Sequence, residues 1–249
     1  MYSILEHYLS TNHILMIGMI VTFILTFFLL EHPFSFLPSD QGRAFAVNGS
    51  LSKGKLRGVG FIFVLCFLIS SVLFLPIDVE YVIYAILLFA MMISGYLDDA
   101  SKTPWNEYKK GLIDLVISIV AVLTYMNFNS TTICFGADEI VIPKALFLIL
   151  GVILIWVSVN VTNCTDGVDG LCASLCSVTL LAFGVLFAPI LQKYAMANFL
   201  FLSVLFAYLY FNSSPSSMLM GDAGSRALGF YIAVIALKST HPFIYILLA

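Results

Sequence analysis

The chain has 249 residues, 61% of them hydrophobic and 10% charged, with a formal net charge of −3. Soluble domains carry about 25% charged residues, so the composition excludes an ordinary water-soluble globule and predicts an all-α, polytopic integral membrane helix bundle. The few charges are confined to loops between apolar runs, so the net charge gives no sign of nucleic-acid binding, and no nucleic-acid partner is expected.

A membrane span needs about 20 apolar residues, with a working range of about 17–25. The first run covers residues 14–30. Neither a basic segment nor a small-residue cleavage site precedes it, so it reads as a membrane helix and not as a removed signal peptide. Further apolar runs predict helices over 58–75, 82–97, 112–126, 145–161, 171–190, 198–211 and 227–237. Between the fourth and fifth, residues 127–144 form a longer Thr/Ile-rich loop with room for a short hairpin. Lys238, His241 and Pro242 interrupt the eighth run, and 243–249 then reads as the start of a ninth helix, cut short. The expectation is one membrane domain over 1–249 with eight or nine membrane helices. Five cysteines are present. Cys172 and Cys176 stand one helical turn apart but have no companion cluster, which favours apolar filling over a metal or redox pair.

The charges sort by side. Segments following odd-numbered helices hold Arg43, Lys53, Lys55, Arg57, Lys102, Lys109, Lys110 and Arg226; the opposite segments hold Lys144, Lys193 and Lys238. The positive-inside rule places the first set in the cytoplasm and the N-terminus outside. Asp98, Asp99, Asp166, Asp169 and Asp222 fall on that same cytoplasmic face, in three separate stretches. A carboxylate near lipid is costly unless paired or solvated, so their gathering at one face predicts a convergent site.

The first stretch, GYLDDASKTPWNEYKKG (95–111), ends an apolar helix with Asp98 and Asp99. Adjacent side chains point about 100° apart on a helix, which suits two roles, one for a cation and one for a proton. Lys102 follows Asp98 by four residues and shares its face if the helix persists. A solvated helix end with a salt bridge would use the same residues. In the second stretch, VNVTNCTDGVDGLCAS (159–174), Asn160 and Asn163 add amide donors and acceptors. Gly167 and Gly170 permit tight turns there. A simple N-cap needs one Asp, and this stretch has Asp166 and Asp169. The third, FNSSPSSMLMGDAGSRALGF (211–230), surrounds Asp222 with small residues and places backbone N–H groups where a phosphate could sit before a helix. Three carboxylate stretches with basic residues on one face suit Mg²⁺ and phosphates. Arg43, Lys55 and Arg57 read as ordinary positive-inside charge.

The succession DDASK, NVTNCTDGVDGL and PSSMLMGDAGS resembles the polyprenyl-phosphate N-acetylhexosamine-1-phosphate transferases, from about Gly42 to the chain end. It is most similar to those members that pass phospho-MurNAc-pentapeptide from its UDP carrier to undecaprenyl phosphate. The resemblance implies ten membrane helices, often a homodimer, in the bacterial cytoplasmic membrane, with the active site facing the cytoplasm. It implies a need for Mg²⁺ and, as products, lipid I and UMP. On this resemblance Asp98 and Asp99 are the catalytic pair, Asp98 deprotonates the lipid phosphate, and Asp222 binds Mg²⁺. Asn163, Asp166, Gly167, Val168 and Asp169 line the nucleoside side. Lys53 matches a family lysine ahead of a glycine pair, and Lys102 completes the DDxxK pattern.

The sequence departs from that pattern at several points. Lys-Leu-Arg-Gly-Val-Gly60 replaces Thr-Pro-Thr-Met-Gly-Gly, Leu219 stands where a Phe stacks on uracil, and Arg226 replaces an apolar residue. The family's histidine-rich loop after the ninth helix is absent, because the sequence ends at Ala249 first, so the chain is expected to be C-terminally incomplete relative to the family; His241 falls on the outer side and does not replace that loop. Two other readings stay open: a GlcNAc-1-phosphate transferase for other envelope glycans, and an ion-coupled transporter, whose carboxylates belong near the bilayer midplane in broken helices.

Overall fold

The structure is a computed structural model and describes residues 1–32, 34–40, 42, 52–135 and 138–248. Arg43 and Ala249 lie outside the described residues. The elements in order are α1 (Tyr2–Leu5), α2 (Thr11–Glu31), α3 (Gly60–Phe74), α4 (Val79–Asp99), α5 (Glu107–Phe128), β1 (Thr132–Phe135), β2 (Asp138–Val141), α6 (Lys144–Thr165), α7 (Leu171–Leu186), α8 (Ala188–Leu191), α9 (Lys193–Asn212), α10 (Gly221–Lys238) and α11 (Pro242–Leu248). Among the described residues five helices, α2, α4, α5, α6 and α9, are long and apolar enough to cross a membrane; α3 and α7 are shorter apolar helices. The strands pair antiparallel, with Thr132 opposite Val141, and make the short hairpin expected between α5 and α6.

Apolar periodicity places the helices but not their ends, because polar residues extend several of them. Asp78 caps α4 by accepting the Tyr81 N–H at 2.9 Å, so that helix starts three residues before its apolar run. Asn106 does the same for α5 through Lys109 N–H at 2.8 Å. The run 171–190 is not one helix. Pro189 has no N–H to continue the ladder, α7 ends at Leu186, and Gln192 turns with φ 46° before α9 begins. Helix α6 carries its polar end through Thr165, with Asn160 Nδ2 donating back to Trp156 O and Thr165 Oγ1 to Thr162 O, each at 2.7 Å. Helix α10 begins at Gly221, six residues ahead of the apolar run at 227. Its first turn holds Asp222, and an acid is favourable at a helix N-terminus. Ser225 Oγ donates back to Gly221 O at 2.9 Å.

Helix α10 is the axis of the bundle, buried from Gly221 to Leu237. It packs on α3, α4 and α6 through backbone. A Cβ added to Gly60 would stand 2.1 Å from Gly224 N, one on Gly95 2.3 Å from Asp222 O, and one on Gly229 2.7 Å from Ser158 O. Lipid tails are as apolar as leucine, so helices in a membrane associate through such close small-residue packing and interhelical hydrogen bonds. Ser158 Oγ supplies one, donating to Gly229 O at 2.7 Å. Cys172 and Cys176 are buried free thiols within α7.

The connections gather at two ends. At one end 34–40, 52–59, 100–106, 166–170 and 213–220 gather, touching through Arg57–Asp99, Trp105–Asp98 and Ser216–Asp169 contacts. At the other, Lys193 pairs with Asp78, and Cys134 N–H donates to Thr240 O at 2.8 Å. Lys238 Nζ donates there to Glu80 Oε2 at 2.9 Å and Asn129 Oδ1 at 2.7 Å, beneath the Tyr194 ring. The five aspartates expected to converge all lie at the first end.

Candidate active site

Helices α4 and α10 meet tip to tip at the carboxylate end, and their geometry separates Asp98 from Asp99. Asp99 faces α10, where its Oδ2 accepts the Ala223 N–H at 3.0 Å and so caps that helix from a neighbouring one. Its other oxygen accepts Arg57 Nε at 2.8 Å. Asp98 faces α5: Oδ1 accepts the Trp105 N–H at 2.7 Å and Oδ2 lies 2.7 Å from Lys110 Nζ. Lys110 also reaches Asp222 Oδ2 at 3.2 Å. Gly221 makes this approach possible. Its φ is +67°, and a Cβ there would stand 2.3 Å from Asp99 Oδ2.

Arg57 is the second cation of the cluster. Besides Asp99 it contacts Asp222 Oδ1 at 3.4 Å and Asp40 Oδ1 at 3.5 Å. Burial works against its charge, but the carboxylates of Asp99, Asp222 and Asp40 outweigh burial and raise its pKa above the ordinary arginine value. Asp40 is itself held by Ser52 Oγ and the Gly42 N–H. One turn further along both helices stands a second, fully buried pair: Arg226 Nη2 of α10 donates to Asp114 Oδ1 of α5. This explains how a charge stands where the resemblance implies an apolar residue: Asp114 faces it.

The second carboxylate stretch folds differently from a capped helix start. Asp166 terminates α6 and is buried, and Gly170, with φ +75°, opens α7. Asp169 accepts both the N–H and the Oγ–H of Ser216, at 3.0 and 2.8 Å, which ties 166–170 to 213–218. Lys55 joins this tie, with Nζ 2.9 Å from Ser216 Oγ and 3.8 Å from Asp169 Oδ2. Asn163 Nδ2 donates to Ser225 Oγ at 2.9 Å and so packs α6 on the start of α10. Gly167 and Val168 are exposed.

Leu219 is only 6% exposed and is pinned through its backbone, donating to Leu56 O at 2.8 Å and accepting from Val59 N–H at 3.3 Å. Lys53 is exposed. Lys102 is exposed as well, because α4 ends at Asp99 and the chain leaves the helical face that would have aligned Lys102 with Asp98. Lys110 takes that place from α5. Sequence reasoning counted Lys110, Arg57 and Lys55 only as side-sorting charge. The available signal for Lys110 was its position in the first helical turn after the DD stretch; for Lys55 and Arg57 it was their replacement of two threonines.

Among the described residues no three His, Cys, Asp or Glu are arranged to hold a metal on their own. The donor set nevertheless fits Mg²⁺, which takes one or two carboxylates and completes its shell with phosphate oxygens and water. Asp40, Asp98, Asp99 and Asp222, with Glu107 at the exposed rim, face Arg57 and Lys110, so carboxylates outnumber cations there among the described residues. A divalent cation would balance that excess.

The sequence profile described as glycosyl transferase family 4 matches residues 81–240, which contain all three carboxylate stretches. The chain belongs to glycosyl transferase family 4. Three relatives share one description. The chain is 34% identical to the phospho-N-acetylmuramoyl-pentapeptide-transferase of Treponema pallidum, over 93% of this chain and 70% of the relative. The enzyme of the same description from Microcystis aeruginosa is 32% identical over 73% of this chain and 53% of its own. That of Halalkalibacterium halodurans is 28% identical over 95% and 78%. The resemblance read from the motifs is therefore correct at the family level, and this family 4 chain is a transferase. Its geometry predicts unequal lysines. Lys110→Ala, which strips Asp98 and Asp222 of a shared cation, should lower kcat about 100-fold. Lys102→Ala should change kcat by less than about twofold. Steady-state transfer assays on both variants decide; equal losses would remove Lys110 from the site.

Proposed function

We propose that the chain transfers phospho-MurNAc-pentapeptide from its UDP carrier to undecaprenyl phosphate in a bacterial cytoplasmic membrane, with the carboxylate end facing the cytoplasm. The products are lipid I and UMP. The observation that carries this reading is the convergence of Asp98, Asp99 and Asp222 with Lys110 and Arg57 at one end of α4, α5 and α10. The names of the family 4 relatives support phospho-MurNAc-pentapeptide as the group transferred.

In this mechanism Asp98 takes the proton of the lipid phosphate, whose oxygen attacks the sugar-bearing phosphorus of the donor. The bond from that phosphorus to the UMP oxygen breaks, and UMP leaves with the bonding pair. Asp222 would hold Mg²⁺, which when bound neutralises charge on the phosphates. Lys110 holds the Asp98 carboxylate in position beside Asp222, and Asp99 holds the start of α10 so that Asp222 stays in place. The alternative route, attack by an aspartate to give a phosphoenzyme, differs by one intermediate: trapping a phosphoenzyme without lipid phosphate would sink the direct route.

The reading is tested with purified chain and undecaprenyl phosphate. UDP-MurNAc-pentapeptide is expected to release UMP, and UDP-GlcNAc to release it at least about 100-fold more slowly. UDP-GlcNAc as the better donor would instead assign the chain to other envelope glycans. No UMP from either donor, with Mg²⁺ present, would refute both.

A further inference from the structure

Lys55 and Arg57 stand two residues apart on an extended segment whose middle residue, Leu56, bridges to Ser39 on one side and Met218 on the other. Residues at that spacing on an extended chain point the same way. Their side chains therefore run along one edge of the site. Lys55 reaches the Ser216–Asp169 tie, and Arg57 reaches Asp99 and Asp222. Each keeps part of its surface open, 20% for Lys55 and 29% for Arg57, whereas the carboxylates that Arg57 touches are at most 9% open.

The grip of Arg57 on those carboxylates is uneven. Charge-assisted hydrogen bonds run to about 2.7–2.9 Å. Only the Asp99 contact, at 2.8 Å, falls in that range; those to Asp222 and Asp40 are 3.4 and 3.5 Å. A guanidinium has five N–H donors in a fork that matches phosphate oxygens. Arg57 thus spreads over carboxylates that a divalent cation would neutralise more completely, and it has donors to spare for a phosphate.

We propose that Arg57 is an exchangeable counter-ion. It neutralises Asp99 and Asp222 before Mg²⁺ arrives, and then gives them up to bind the diphosphate of the donor between the Lys55 and Asp222 ends of the site. This rests on the transferase reading above. It assigns a phosphate-binding role to a residue that stands where the resembled pattern has threonine. It also makes Mg²⁺ and the Arg57 guanidinium competitors in the nucleotide-free protein and partners once the diphosphate is bound.

The test uses the full chain in detergent, with Arg57→Gln and Arg57→Lys beside wild type. Mg²⁺ alone is titrated by thermal shift, and UDP and uridine are titrated by calorimetry with Mg²⁺ present. Arg57→Gln should bind Mg²⁺ alone about threefold more tightly or better. It should bind UDP about ten- to 100-fold more weakly, with uridine affinity unchanged. Arg57→Lys should fall between the two in UDP affinity, and it decides the matter alone if the Gln variant does not fold. An unchanged ratio of UDP to uridine affinity, or weaker Mg²⁺ binding in the variants, overturns the role of Arg57 while leaving the transferase reading intact. Wild type that binds neither uridine nor UDP sinks that reading itself.

Discussion

Asp222→Asn is expected to abolish Mg²⁺-dependent UMP release, with kcat falling about 1,000-fold or more. Asp222 is the carboxylate on which both site cations converge, Lys110 at 3.2 Å and Arg57 at 3.4 Å. Its amide counterpart keeps the shape of the side chain but removes the charge that would hold a divalent ion. The helix start does not depend on it, because Asp99 caps the Ala223 N–H from α4. The variant should therefore fold, and its thermal midpoint in detergent should stay within a few degrees of wild type. Asp98→Asn removes the proton acceptor and should lose activity on a similar scale, yet keep most of the Mg²⁺-dependent thermal shift. UMP release undiminished in both variants would remove these residues from the chemistry. Equal loss of Mg²⁺ binding in both would merge the separate roles given to Asp98 and Asp222.

Gly95→Ala is the second large effect, and it acts through backbone. A methyl at Gly95 would stand 2.3 Å from Asp222 O and 2.6 Å from Ala223 N, and neither atom can swing away as a flexible side chain would. Helices α4 and α10 must then separate near the point where they carry Asp98, Asp99 and Asp222. A displacement of about 1 Å near reacting groups can cost about 100-fold in rate, and the lost packing should lower stability by about 1–3 kcal/mol. The control is Gly111→Ala on α5. A methyl there meets only the Trp156 ring at 3.6 Å, an ordinary contact, and alanine favours helix over glycine. Activity and thermal midpoint measured for both should show a large loss for Gly95→Ala and none for Gly111→Ala. Comparable losses would mean that any methyl in these helices disturbs the protein, and that the α4–α10 approach is not special.

The apolar runs revealed the helices because lipid-exposed helices must be apolar along most of their length. They could not reveal α10 in full. Its first six residues, Gly221 to Arg226, read as a loop because they are small or charged, yet they are helical because each charge meets a partner on another helix. That information is tertiary: Asp114 and Lys110 lie more than 100 residues away in sequence. The same limit explains the cations. Lys102 looked correctly spaced from Asp98 only while the helix was assumed to continue, and the chain turns away after Asp99. Lys55 and Arg57 looked like topological charge because nothing local shows that Leu56 is bridged to Met218. The motif residues were legible as a set. Their division of labour was not: Asp169 braces a loop through Ser216, and Asp99 caps a helix, roles visible only from their hydrogen-bond partners.

The partners of α10 have a further consequence, which concerns how the chain is made. A helix opening with Asp222 and Arg226 carries two charges that are costly to bury without partners. Helices α4, α5 and α6 supply the ion pairs and the glycine-lined groove that receive it, and all three are synthesised earlier. Order of synthesis thus matches order of need. At its far end, Lys238 is met by Glu80 and Asn129, which are also already in place. The helix that carries Asp222 is a late guest in a bundle its predecessors have prepared, and the carboxylate end is complete only once that helix has docked.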